Sequence, residues 1–250
     1  MTNRNGTDGE PQVGDYRDSH LHKGESYDKT LDEDAFDAFM SRREDALLAT
    51  IVPKLFPGGI PRYLDFACGT GRVLSRVATY ATTSMGVDIS ETMLAQARVK
   101  CPSSTLLHMD LTTADSELGV FDLITTFRFV GNAQDALRES ALAALSRRLA
   151  PGGYLVLDSH RNPWSIRNLL HPGSARDQDL HLSKLRSLLR KHGLTVVQTH
   201  GVGWWIVLDS QNTRSHLTSS LANLLERVPV GRTPLAWFCP DSVVVARKAR

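Results

Sequence analysis

The chain has 250 residues, 41% of them apolar and 22% charged, enough to bury the core of one large α/β domain. Its 29 basic and 27 acidic residues leave a formal charge of +2, and no block of like charges marks a nucleic-acid arm or an acidic tail, so no nucleic-acid partner is expected. Cys68, Cys101 and Cys239 are far apart and form no C-x-x-C pair, which argues against a disulfide framework and a zinc site and points to a reducing cytoplasm.

Residues 1–25 are polar and carry too little apolar surface to offset the entropy of ordering, so they are read as a mobile arm before a single domain over 26–250. They lack the apolar segment of an export signal, and the chain has no apolar run long enough to span a bilayer, so neither export nor membrane insertion is expected. From Asp32 onward Phe36, Phe39, Met40, Leu47, Leu48, Ile51, Val52 and Leu55 recur at helical spacing until Pro57, Gly58 and Gly59 end the segment. Short apolar runs then alternate with helical patterns, and strands are predicted near 62–66, 84–88, 105–108, 121–126, 153–158 and 195–199. A final apolar run at 242–246 follows Pro240 and Asp241 and would close the sheet. Such alternation predicts a parallel sheet covered by helices on both faces.

In a sheet of this kind a ligand lies outside the carboxyl ends of the strands, where the strand order reverses. The first strand runs into Asp65-Phe66-Ala67-Cys68-Gly69-Thr70-Gly71, and a helical pattern of Val73, Leu74 and Val77 follows. Glycines at 69 and 71 permit a tight turn and the approach of a ligand that a Cβ would block. A third glycine, as in a dinucleotide fingerprint, would fall at Leu74, and Asp65 stands before the loop instead. A carboxylate there is a poor neighbour for pyrophosphate and a good one for an ammonium group. Asp88 ends the second strand 17 positions beyond Gly71, where it could accept both hydroxyls of a ribose, and Asp110 ends the third. The matching ligand has a cationic amino-acid end, a ribose and an adenine, and no phosphate. Each residue also has a structural reading: a plain strand-to-helix turn for Gly69 and Gly71, helix N-caps for Asp88 and Asp110, and packing for Cys68.

This set of residues resembles the class I S-adenosylmethionine-dependent methyltransferases over roughly residues 60 to 160. YLDFACGTGRVL is similar to the glycine-rich loop of that family, MGVDIS to its ribose-binding acid, HMDL to its adenine-edge acid, FDLITTF to its fourth strand and LAPGGYLVLD to the turn into its fifth. The resemblance implies a doubly wound, mostly parallel seven-stranded sheet of the Rossmann-like methyltransferase type, with an antiparallel last strand and helical lid insertions. It implies S-adenosylmethionine lying over Gly69 and Gly71, with Asp88 on the ribose, Ile89 against the adenine and Asp110 on the adenine amino group. Asp65, Ala67, Met93, Leu111 and Phe127 complete the implied cofactor site, and Tyr27 occupies the place of an upstream tyrosine that touches the cofactor in relatives.

Methyl transfer from a sulfonium needs mainly a well-placed acceptor and the exclusion of water, and a base only where the acceptor is protonated. His160, directly after the fifth strand, is predicted to project into the crevice and is the candidate general base, with His200 after the sixth strand in reserve. Arg128, Asn132, Arg161 and Asn162 are candidates for positioning a polar or anionic acceptor. Relatives that methylate nucleic-acid bases or glutamine amides show an Asn or Asp, two prolines and an aromatic after strand four, whereas this chain has Thr125-Thr126-Phe127-Arg128. Insertions near 161–177 and 201–234, the second with Trp204, Trp205 and a leucine-rich helical pattern, are placed as lids on the ligand side. The acceptor is therefore expected to be a small molecule methylated on oxygen in bacterial metabolism. Nitrogen of a small amine or acid comes next, ahead of an RNA or protein methyltransferase and a non-catalytic cofactor-binding subunit. No metal is expected, and the sequence carries no sign of an oligomeric state.

Overall fold

The computed structural model describes residues 35–113, 118–160, 162–165, 180–203 and 234–250. The expected N-terminal arm and Tyr27 lie outside the described residues, as do Arg161, Trp204, Trp205 and most of both insertions.

Helix α1 (Ala35–Leu55) buries Phe39, Met40, Leu48, Ile51 and Val52 along one stripe and carries Pro53 in its last turn. The first four strands are β1 (Ile60–Phe66), β2 (Ala81–Asp88), β3 (Thr105–His108) and β4 (Phe121–Thr126). Between them run α2 (Arg72–Val77), continued by a 3₁₀ turn, and α3 (Glu91–Lys100). The α3 N-cap is Ser90, whose hydroxyl accepts the Met93 amide at 3.4 Å, so Asp88 is left for other work. Helix α4 (Asp135–Arg148) leads into β5 (Leu149–Ser159), and α5 (Leu182–Lys191) into β6 (Leu194–Val202). The chain ends with β7 (Asp241–Lys248).

The seven strands form one sheet in the order β3-β2-β1-β4-β5-β7-β6, parallel throughout except for β7, which runs against both its neighbours. The expected topology is therefore present, and the strand order reverses between β1 and β4. Leu123, Val156, Val243 and Val245 form one face with α1 and α2; Ile124, Leu155, Leu157, Val244 and Ala246 form the other with α4 and α5. Among the described residues no helix is long and apolar enough to cross a membrane.

Two strand limits differ from expectation for identifiable reasons. Strand β5 begins at Leu149, opposite Phe121, and its register shifts before Leu123 meets Tyr154. Pro151, Gly152 and Gly153 are thus an irregularity inside the strand rather than a turn before it, which suits a proline that has no N–H to give to a ladder. Strand β6 continues to Val202, so His200 lies within it, opposite Val243, and not beyond its end.

Gly71 is needed for a reason other than ligand approach. Its φ is +82°, and a Cβ there would lie 3.0 Å from the Cys101 Sγ and 3.2 Å from the Ala97 Cβ, so the loop can turn into α2 only by passing close over the end of α3. A Cβ at Gly69, with φ +53°, would meet nothing within 4 Å. Gly71→Ala combines left-handed strain with overpacking and should lower stability by about 2 to 4 kcal/mol, whereas Gly69→Ala should cost only the strain, about 1 to 2 kcal/mol. Equilibrium urea unfolding of the two variants measures the difference, and equal losses would contradict it.

Candidate active site

A cleft of about 930 Å³, counted to its open mouth, lies at the carboxyl ends of β1, β2 and β4. Asp65, Ala67, Gly69, Asp88, Ile89, Met93, Asp110, Leu111 and Phe127 all line it, so the structure brings together nine of the residues expected to hold the cofactor, and Arg128, expected to position the acceptor, lines it too. Gly71 packs against α3 and is not among the lining residues. Arg72, Met109 and Phe129 also line the cleft and were not anticipated.

The loop after β1 is held by hydrogen bonds from its own backbone. Ala67 and Gly69 both take φ +53°, and the strained non-glycine residue at 67 persists because its surroundings fix it. Asp88 supplies much of that restraint: its Oδ2 accepts the Gly69 amide at 2.8 Å and its Oδ1 the Ser90 amide at 2.9 Å. The two bonds fix the carboxylate at the carboxyl end of β2, on the wall of the cleft. Asp110 closes a turn with its Oδ1, which accepts the amide of Thr112 at 2.9 Å and its hydroxyl at 2.6 Å.

Asp65 is buried at the floor of this cleft. Its Oδ1 accepts the Thr125 hydroxyl at 2.6 Å, while its Oδ2 meets no hydrogen-bond partner. Burial pushes its carboxyl up to about 7, against the pull of the Thr125 hydroxyl and the Arg72 guanidinium. A buried acceptor oxygen without a donor, on the wall of a cleft, fits a ligand that brings a cationic donor with it.

A chain of charges runs along the opposite wall, with Arg72 and Arg128 lining the cleft and Glu44, Asp158 and His160 buried behind them. Glu44 of α1 takes the Arg72 guanidinium at 2.9 Å on Oε2 and lies 3.5 Å from the Arg128 Nη2 through Oε1. Arg128 has φ +59°, and its amide donates to the Asp158 Oδ1 at 2.8 Å. The Asp158 Oδ2 is 2.8 Å from the His160 Nδ1. Burial raises the Glu44 carboxyl, and the two arginines oppose that rise. For His160, burial by itself lowers the imidazole, but the Asp158 carboxylate, with Asp241 behind it, reverses this and holds the ring above its ordinary value. Sequence reasoning missed Glu44, although a signal exists: it sits four residues from each of Met40 and Leu48 on the buried stripe of α1.

His160 does follow β5 directly, yet it is buried and is not among the residues lining the cleft; its ring lies against Gly131. His200 bonds Gln198 at 3.1 Å within β6. Asn162 uses its side-chain amide to bind the carbonyls of Trp237 and Cys239 at 2.6 and 3.0 Å, joining the exit of β5 to the approach to β7. Asn132 donates to the Arg128 carbonyl at 2.7 Å.

Residues 64–153 match the family model described as a methyltransferase domain. The chain is 34% identical over 134 residues to the dTDP-3-amino-3,6-dideoxy-alpha-D-glucopyranose N,N-dimethyltransferase of Streptomyces fradiae, a match covering 52% of this chain and 50% of that enzyme. It is 30% identical over 150 residues to an uncharacterised methyltransferase of Synechocystis, covering 56% of this chain and 69% of that protein. Several curated relatives are thus spanned over only about half their length, and an O-methyltransferase is among the matches. The N-methyltransferase NodS of Bradyrhizobium japonicum, solved with S-adenosyl-L-homocysteine, shares the fold with a TM-score of 0.60 and 17% identity over 93% of this chain and 96% of that one. By loop, strand order and sequence alike, the chain belongs to the class I S-adenosylmethionine-dependent methyltransferases.

Proposed function

We propose that the protein methylates an amine nitrogen on a small polar acceptor, with S-adenosylmethionine held in the cleft between β1, β2 and β4. Asp65 takes the ammonium of its amino-acid end, and the loop of Ala67 and Gly69 gives its backbone a path past the ligand. Asp88, at the carboxyl end of β2 and on the cleft wall, receives the ribose hydroxyls. Ile89, Met93, Leu111 and Phe127 supply apolar walls for the adenine, and Asp110 accepts from its amino group. The unmatched Asp65 oxygen and the lining of the cleft support this fit. When bound, the cofactor supplies a methyl group already activated by a sulfonium, so the chain's residues have only to orient the acceptor and keep water out.

The choice of nitrogen over oxygen rests on His160. A hydroxyl acceptor calls for a base at the cleft, whereas an amine attacks through its own free pair. His160 lies off the cleft, and its raised affinity for a proton favours an imidazolium paired with Asp158. That pair holds Arg128, and so fixes the turn of Phe127 and Phe129 that lines the cleft. The amino-sugar substrate of the Streptomyces relative supports the same class of acceptor. Both β5 and β6 end at the edge that carries the cleft, which supports a single domain over 26–250. The small net charge supports a small-molecule acceptor rather than nucleic acid, and three buried free cysteines support a reducing cytoplasm.

Asp88→Ala removes the ribose acceptor and the clip on Gly69, at roughly 0.5 to 3 kcal/mol per bond, and should weaken S-adenosylhomocysteine binding at least tenfold by calorimetry. Unchanged affinity in the folded variant would refute the ribose assignment. Incubation with S-adenosylmethionine and paired acceptors, a nucleotide-linked amino sugar against its hydroxyl counterpart and a catechol, should methylate nitrogen only. His160→Ala should lower turnover by less than about tenfold and keep the acid limb of the pH–rate profile, which the amine sets. A loss of roughly 10² to 10⁴ together with that limb would instead make His160 the base for an oxygen acceptor.

A further inference from the structure

Asp65 is not an isolated buried acid. It stands in register with Thr125 across the parallel β1 and β4 pair, and Tyr63, two residues back on β1, points to the same face. Thr125 and Tyr63 are fully buried. The Thr125 hydroxyl donates to the Asp65 Oδ1 at 2.6 Å and lies 2.6 Å from the Tyr63 hydroxyl. A threonine has one hydroxyl proton, and Asp65 receives it, so the Tyr63 hydroxyl is the donor to Thr125. The result is a directed run from Tyr63 through Thr125 to Asp65, a residue that lines the cleft and whose buried Oδ2 meets no partner.

We propose that Tyr63 and Thr125 are positioning residues, a two-hydroxyl relay that orients the Asp65 carboxyl into the cleft and favours the ionised form that receives the ammonium of the cofactor's amino-acid end. The relay rests on the reading of Asp65 given above and names two residues that touch no part of the cleft. It acts by giving the buried carboxylate a donor whose own oxygen is polarised by a second donor, so negative charge on Oδ1 is stabilised where water cannot reach it. The other groups acting on Asp65 are the Arg72 guanidinium and the Leu74 backbone N–H of α2, which favour the ionised form, and Asp88 of β2, which opposes it. The thiols of Cys68 and Cys101 also face it, and burial, above all, holds both in the neutral form, Cys101 at about 11. With the carboxyl at about 7 in the free protein, binding of the ammonium draws Asp65 into its ionised state, and affinity falls as the pH drops through that value.

Two probes separate this effect from a loss of structure. S-Adenosylhomocysteine carries the ammonium, and 5′-methylthioadenosine keeps the adenine and ribose without the amino-acid end. Calorimetry between pH 5.5 and 8.5 should show wild-type affinity for the first rising with pH and for the second staying flat. Thr125→Val should move the midpoint up by about one pH unit, which lowers S-adenosylhomocysteine affinity at pH 7 about fivefold, with 5′-methylthioadenosine unaffected. Tyr63→Phe should move it the same way by less, and Thr125→Ser should restore it. Equal weakening of both probes in Thr125→Val, or a midpoint that does not move, would overturn the relay. Asp65→Asn keeps the two questions apart. An unchanged ratio of the two affinities in that variant defeats the ammonium reading itself, while selective loss of S-adenosylhomocysteine with an unshifted Thr125→Val midpoint defeats the relay alone.

Discussion

Burying a carboxyl group at the end of a central strand is costly unless its oxygens find donors, and Asp65 finds only one of two within the protein. Much of the cleft can be understood from that imbalance. The group sits on β1, where the strand order reverses, so β2 and β4 flank it and Thr125 can reach it from the neighbouring strand. The chain then turns over it through two left-handed residues, Ala67 and Gly69, and Asp88 ties the turn to β2. On the function proposed above, the ammonium of the cofactor would supply the missing donor and relieve the burial penalty as it binds. Affinity would then be drawn from a defect that the folded protein already carries.

A second set of charges has a different task. Glu44, Arg72, Arg128, Asp158 and His160 connect α1, the glycine loop, the turn after β4 and the end of β5. Buried ion pairs add little net stability compared with apolar packing, but breaking one leaves an uncompensated charge, so such a network specifies geometry. Here it fixes the backbone of Arg128 in a left-handed turn whose aromatic flanks, Phe127 and Phe129, form a wall of the cleft. A histidine directly after a strand in this fold invites a catalytic reading. Its partner, burial and place against Gly131 suit it better to holding that wall.

Much of this was legible in the residues because it is local. Seven strands could be read from short apolar runs, and three aspartates at strand ends were informative because parallel sheets present those ends to one edge. What escaped depends on partners far along the chain. Gly71 looked like a concession to a ligand, but the crowding comes from Ala97 of α3 and from Cys101 just beyond its end. His160 looked open, since nothing in its neighbourhood announces that Gly131 and Asp241 close over it. Pro151 looked like a strand boundary, and only pairing with β4 shows the strand continuing through an irregular register. Glu44 and Arg72 lie 28 residues apart, and no periodicity within either helix reports that they meet.

The most direct test of the account is a crystal structure of the complex with S-adenosylhomocysteine at pH 8. It should place the ligand's ammonium about 3 Å from the Asp65 Oδ2, with the ribose hydroxyls on Asp88 and the Gly69 amide still bonded to that carboxylate. An amino-acid end directed away from Asp65, with the Oδ2 still unmatched, would contradict the claim that this buried carboxyl organises the site.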